Sequence, residues 1–124
     1  VWSSAEDDPD VSERPGDYVI SVGIDPAGGT DAGDGSVVWS PERQAYDRWV
    51  ELTVTASAEG SAVTVFTRGE PSWRVKHNDA YWDDATLVVE PGAGASGLSE
   101  ESAAGQAMVP GNVGSILPML TVTV

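Results

Sequence analysis

The densest gathering of polar and aromatic side chains is the run His77-Asn78-Asp79-Ala80-Tyr81-Trp82-Asp83-Asp84, approached through Trp73 and Arg74. Aromatic rings next to amide, carboxylate and guanidinium groups suit the recognition of a sugar. The ring covers the C–H face of a pyranose, and a few placed polar groups hold its hydroxyls. Trp73 follows Pro71 in a loop and precedes Arg74, so it is the expected exposed platform. Tyr81 is the second ring, with Arg74, Asn78 and Asp79 as polar partners. The competing reading is structural. Asn78 and Asp79 are turn formers, and His77 or Asp83 could satisfy backbone groups ahead of the next strand. Small β proteins bury most of their tryptophans. At least three of Trp2, Trp39, Trp49, Trp73 and Trp82 are therefore expected in the core, Trp39 and Trp82 foremost.

A second chemistry lies in the acidic loops. Asp7, Asp8 and Asp10 share one loop; Asp25, Asp31 and Asp34 share another, with glycines between them. Calcium takes several oxygen ligands from flexible loops. Asp25, Asp31, Asp34 and Asp83 are the candidate metal ligands, and structural calcium is the one cofactor they suggest. Their spacing matches neither an EF-hand nor a calcium β-roll, and Asp and Gly are also ordinary turn residues.

Catalysis is not expected. Glycoside hydrolysis needs two carboxyl groups roughly 5–10 Å apart across the bond. Asp83 and Asp84 are neighbours on a predicted strand, so they point to opposite faces. No G-x-S-x-G nucleophile elbow and no glycine loop leading into a helix for phosphate is present. The chain has no cysteine, which excludes disulfides, thiolate catalysis and cysteine-based zinc sites.

The elements that must position these groups read as strands. The 124 residues suit one core. Residues 17–24 alternate, with Tyr18, Ile20, Val22 and Ile24 on one face. Residues 36–40 form a short strand ended by Pro41. Residues 48–58 alternate most clearly: Val50, Leu52, Val54 and Ala56 face one way, Trp49, Glu51, Thr53 and Thr55 the other. Glu59-Gly60 predicts a turn, with 61–68 as the hairpin partner of 48–58. Residues 83–90 predict another strand, with Ala85, Leu87 and Val89 on one face. Residues 3–16, 25–35 and 69–82 read as loops. Residues 91–114 are rich in Gly, Ala and Ser and read as a linker or surface loop. Residues 115–124 end on an alternating strand. The count is about six strands and no helix, an antiparallel β-sandwich or jelly roll.

The formal net charge of −14 repels phosphate backbones and anionic membranes, so nucleic acid is not an expected partner. No apolar run approaches the ~18 residues a membrane helix needs, so membrane insertion is not expected either. The chain opens on Val1 rather than Met. It reads as a processed or excised segment of a secreted or cell-surface protein.

Three stretches carry a resemblance: DYVISVGIDPAGGTD (17–31), VVWSPERQAYDRWVELTVTASAEGSAVTVF (37–66) and WRVKHNDAYWDDATL (73–87). In order, they are similar to the back two-thirds of a jelly-roll module of the galactose-binding-like, carbohydrate-binding-module type found in secreted bacterial proteins. The resemblance covers roughly residues 1–90. It implies a non-catalytic sandwich that binds glycan, and a structural calcium is common in such modules. Strands normally precede the point where this chain opens, and VWSS looks like the end of one. Residues 91–124 match nothing in the pattern.

The resemblance therefore divides the chain into a module at 1–90, a linker at 91–114 and a C-terminal strand at 115–124. It leaves two expectations for the partner. One is a glycan, bound by loop aromatics. The other is further copies of the same chain, in a self-assembling surface layer or filament whose sheets are completed by strand exchange.

Overall fold

The structure is a computed structural model and describes residues 1–8, 10–90 and 117–124. The described residues contain eight strands and no helix: β1 (Trp2–Ser4), β2 (Tyr18–Asp25), β3 (Val38–Trp39), β4 (Thr53–Ser57), β5 (Thr64–Pro71), β6 (His77–Asp79), β7 (Thr86–Glu90) and β8 (Met119–Thr123). They form an antiparallel β-sandwich of two three-stranded sheets, ordered β3-β2-β5 and β4-β8-β7. A two-stranded β1-β6 ribbon completes the set.

The expected alternation builds the core. Ile20, Val22 and Ile24 of β2 face Val54 and Ala56 of β4 and Leu120 and Val122 of β8, with Leu52 and Ala58 flanking β4. Val22, Ile24 and Val122 are almost fully enclosed. Burial of such side chains contributes about 1.5–3 kcal/mol each. The other face of β2 carries Ser21, Gly23 and Asp25. Trp39 lies directly on Gly23; a Cβ there would sit 2.8 Å from its ring. Arg68 stacks over Trp39 at 4.3 Å and donates through Nε to Ser21 Oγ at 3.2 Å.

Several expectations change. Residues 61–68 are not the hairpin partner of 48–58. β5 pairs along its whole length with β2, from Tyr18↔Pro71 to Asp25↔Thr64. The Glu59-Gly60 turn instead carries the chain from one sheet to the other, and Glu59 N–H donates to the Pro26 carbonyl at 2.9 Å. β6 lies in a region read as a loop, and β1, at the strand end read in VWSS, runs into the start of another; the two pair with each other. No tryptophan is fully buried. Trp2, Trp39 and Trp82 are half-buried; Trp49 and Trp73 are exposed. The gap between the sheets is filled by Val, Ile, Leu and Ala, and the bulky indoles sit around its ends and on its outer faces.

The C-terminal strand belongs to its own fold. β8 lies between β4 and β7 and pairs with both, Val122 opposite Val54 on one side and Leu87 on the other. The ladder continues past the strand ends, where Leu52 and Val124 exchange two backbone hydrogen bonds of 2.9 and 3.0 Å. The residues set apart at 1–90 thus form one sheet only with β8 in place. The expected linker at 91–114 lies outside the described residues.

Each sheet also overhangs the other. Val65 lies opposite Ile24 and Leu87 opposite Val122, so both are on the inward face of their sheets. Yet Val65, Leu87 and Val89 are exposed, Val89 at 61%.

Candidate functional site: a tryptophan-lined groove

The residues expected to form one binding edge separate in the structure. Asn78 faces inward. With its amide nitrogen turned toward Ser3 Oγ at 2.9 Å and the His77 carbonyl at 3.2 Å, its oxygen accepts from Val75 N–H at 3.1 Å. Ser3 Oγ also accepts from Gly16 N–H at 2.9 Å. Asn78 therefore fastens β6 to β1 and the loop before β2. Trp73 is 56% exposed, and its backbone N–H donates to the Gly16 carbonyl at 3.2 Å. Arg74 and Asp79 are exposed. Tyr81 lines a groove at one end of the sandwich, and Trp73, Arg74, Asn78 and Asp79 line neither that groove nor the depression beside it.

Tyr81 instead lines the same cavity as Trp49. A cavity of about 240 Å³ opens where the Asp47–Val50 loop, the start of the chain and the Tyr81–Asp83 loop converge at one end of the sandwich. Its inner wall is Ile20, Leu52 and Trp82; its rim is Trp49, Tyr81, Arg48, Asp47 and Asp83. Trp49 is 71% exposed and Tyr81 59%. Trp82 is half-buried and packs against the core. Trp2 also lines the cavity and stacks on His77, their ring centroids 4.3 Å apart.

Local bonding holds the rim. Asp47 adopts a left-handed backbone conformation, φ 56°. Its carboxylate accepts from Ser12 N–H at 2.7 Å and from Ser12 Oγ at 2.8 Å. Its own N–H donates to the Val1 carbonyl at 2.8 Å. The turn that presents Arg48 and Trp49 is therefore tied to two distant segments. Trp49 then points outward because it lies on the alternate face to Val50 and Leu52, whose side chains turn toward the core. On the opposite rim Asp83 Oδ1 accepts from Asp84 N–H at 2.9 Å, and Asp84 takes a left-handed φ of 54°.

The four candidate metal ligands are not brought together. Among the described residues no group of three or more His, Cys, Asp or Glu side chains is arranged to hold a metal ion. Three of them close turns. Asp25 Oδ1 accepts from Ala27 N–H at 2.9 Å, Asp31 Oδ1 from Gly33 N–H at 2.8 Å, and Asp34 Oδ1 from Ser36 N–H at 2.8 Å. Hydrogen bonding from Ser36 holds the Asp34 carboxyl below its ordinary value. These are successive Asx turns along one loop, and Asp83 lies on the groove rim instead.

The sequence reading missed Trp49, Arg48, Asp47 and Trp82 as site residues. The signal for Trp49 was present, since the 48–58 alternation sets it opposite the core-facing residues. Its sharing a cavity with Tyr81 was not, because that depends on which loops the two sheets bring to the same end. Neither a family model, nor a curated protein, nor a solved structure matches the chain.

Proposed function

We propose that this chain is a non-catalytic glycan-binding module of a secreted or cell-surface protein, and that it binds through the groove around Trp49. The observation that carries this reading is a freely exposed indole at the mouth of an apolar cavity. Tyr81 and Trp82 lie beside it, and Arg48 and Asp83 supply polar groups at the rim. Concave, mostly apolar sites with a few polar groups are the usual form of small-ligand sites. Exposed aromatic anchors carry most of the energy at recognition surfaces. The net charge of −14 favours uncharged sugars over acidic ones.

A glycan array tests the proposal. The intact chain is expected to bind a restricted set of neutral sugars and Trp49→Ala to lose them, with the bound sugar recovered uncleaved. Wild-type binding that survives Trp49→Ala would overturn the assignment.

A second reading, self-assembly, has one observation in its favour. β7 pairs only with β8 among the described residues, and Leu87, Val88 and Val89 are all exposed. Such an edge can pair with the same edge of a second copy in a two-fold arrangement. β8 is already used inside its own sheet, so β7 rather than the C-terminal strand would be the joining element. Light scattering of the wild type and Val88→Lys separates the readings: an assembly that the lysine disperses supports this one.

A further inference from the structure

We propose, resting on the glycan reading, that the groove takes a linear run of at least two uncharged sugar residues passing over Trp49, rather than a single terminal sugar. A second cavity of about 340 Å³ adjoins the first and shares Trp49, Val50, Asp83 and Val124 with it. Trp49 and Asp83 therefore stand on the ridge between two depressions. The first, at about 240 Å³, is below the ~300–1,000 Å³ usual for a ligand pocket, and the second, at about 340 Å³, is near the lower end of that range, so each has room for little more than one sugar ring. A sugar in one depression alone would use one side of the indole. A chain crossing the ridge uses its exposed face and places a ring on each side.

The two depressions differ in chemistry. The first is walled by Ile20, Leu52, Tyr81 and Trp82 and carries Arg48. The second adds Glu51, Asp84 and Thr123, so together with the shared Asp83 its side-chain charges are all negative. Carboxylates accept hydrogen bonds from sugar hydroxyls, and they repel a uronate or a sulfated sugar. The second position thus selects hydroxyl-rich, uncharged residues.

Isothermal titration of the intact chain tests this, using glucose-, galactose- and mannose-based oligosaccharides of one to four units and oligogalacturonides of the same lengths. For the neutral series that binds, affinity is expected to rise about tenfold or more, some 1.4 kcal/mol, from one unit to two. The matching oligogalacturonide is expected to bind at least about tenfold more weakly. Glu51→Arg fills only the second depression, with a side chain that pairs with Asp83 and Asp84 and occupies their acceptor oxygens. It is expected to abolish the gain with length while leaving single-sugar binding intact, with Glu51→Lys as a smaller block should the first variant fold poorly. Single sugars binding as tightly as dimers, or a length gain that survives both variants, overturns the two-residue groove while leaving the glycan reading standing. No binding by any series overturns both.

Discussion

Trp49 contributes little to the fold that displays it. Its side chain is largely in water, and substitutions at such sites change stability by roughly 0.5 kcal/mol or less. Trp49→Ala should therefore melt with the wild type while losing sugar binding, a separation read by calorimetry and titration on one sample. Asp47 is different because it holds the loop that presents Trp49. Asp47→Ala removes two hydrogen bonds from Ser12. It should lower stability by about 1–2 kcal/mol in urea melts and weaken sugar binding by loosening the rim. Restoring binding with Asp47→Asn, whose amide oxygen still accepts from Ser12, would show that positioning rather than charge is at stake. At this scale the sequence was legible in part. The period-2 pattern turned Trp49 away from the core, and the Asp-Gly loop read correctly as turns. The bonding of Asn78 was not legible, because nothing local reveals that Ser3, seventy-five residues away in the chain, pairs with its amide.

Strands were easier to place than to pair. β3, β4, β7 and β8 lie within the predicted segments and β2 overruns its segment by one residue, Asp25, because side-chain alternation is local. Partners are set by the whole fold. The eight-residue β5 could have folded back on β4 across Glu59-Gly60, but β4 instead pairs with β8, and β5 covers the open side of β2. Two expectations belong here. A chain ending at Gly114 lacks β8, which leaves both β4 and β7 without a ladder partner and removes Leu120 and Val122 from the core. It should lose the far-ultraviolet signature of folded sheet; a folded truncated chain would show that β8 is dispensable. The second concerns pH. Burial pushes the Tyr18 phenol above its usual value of 10.0, and the negative charge of Asp79 adds to this. The native state then holds that proton more tightly than the unfolded chain. Its contribution to stability is complete below pH 10 and is lost as pH rises through the raised native value. Urea melts across that range should show a fall in stability that is shallower in Tyr18→Phe.

The molecule as a whole is a sandwich with one furnished end and an overhanging side. The furnished end gathers Trp2, Trp49, Tyr81 and Trp82 around a cavity; the overhang exposes Val65, Leu87 and Val89. Twenty acidic against six basic residues keep such a surface dispersed by mutual repulsion. The all-β class and the acidic character were both legible from composition and turn signals. The choice of end was not, because the local sequence around Pro71 and Arg74 favoured Trp73, and only the closing of the two sheets sets Trp49 at the mouth of the groove. The indole N–H signals of the five tryptophans report that choice directly in a ¹H–¹⁵N correlation spectrum titrated with neutral oligosaccharides. A saturable shift of the Trp49 signal, with Trp82 following and Trp39 and Trp73 unmoved, is the expected result. A shift at Trp73 with Trp49 still, or no shift at any indole, would contradict the groove as the binding site.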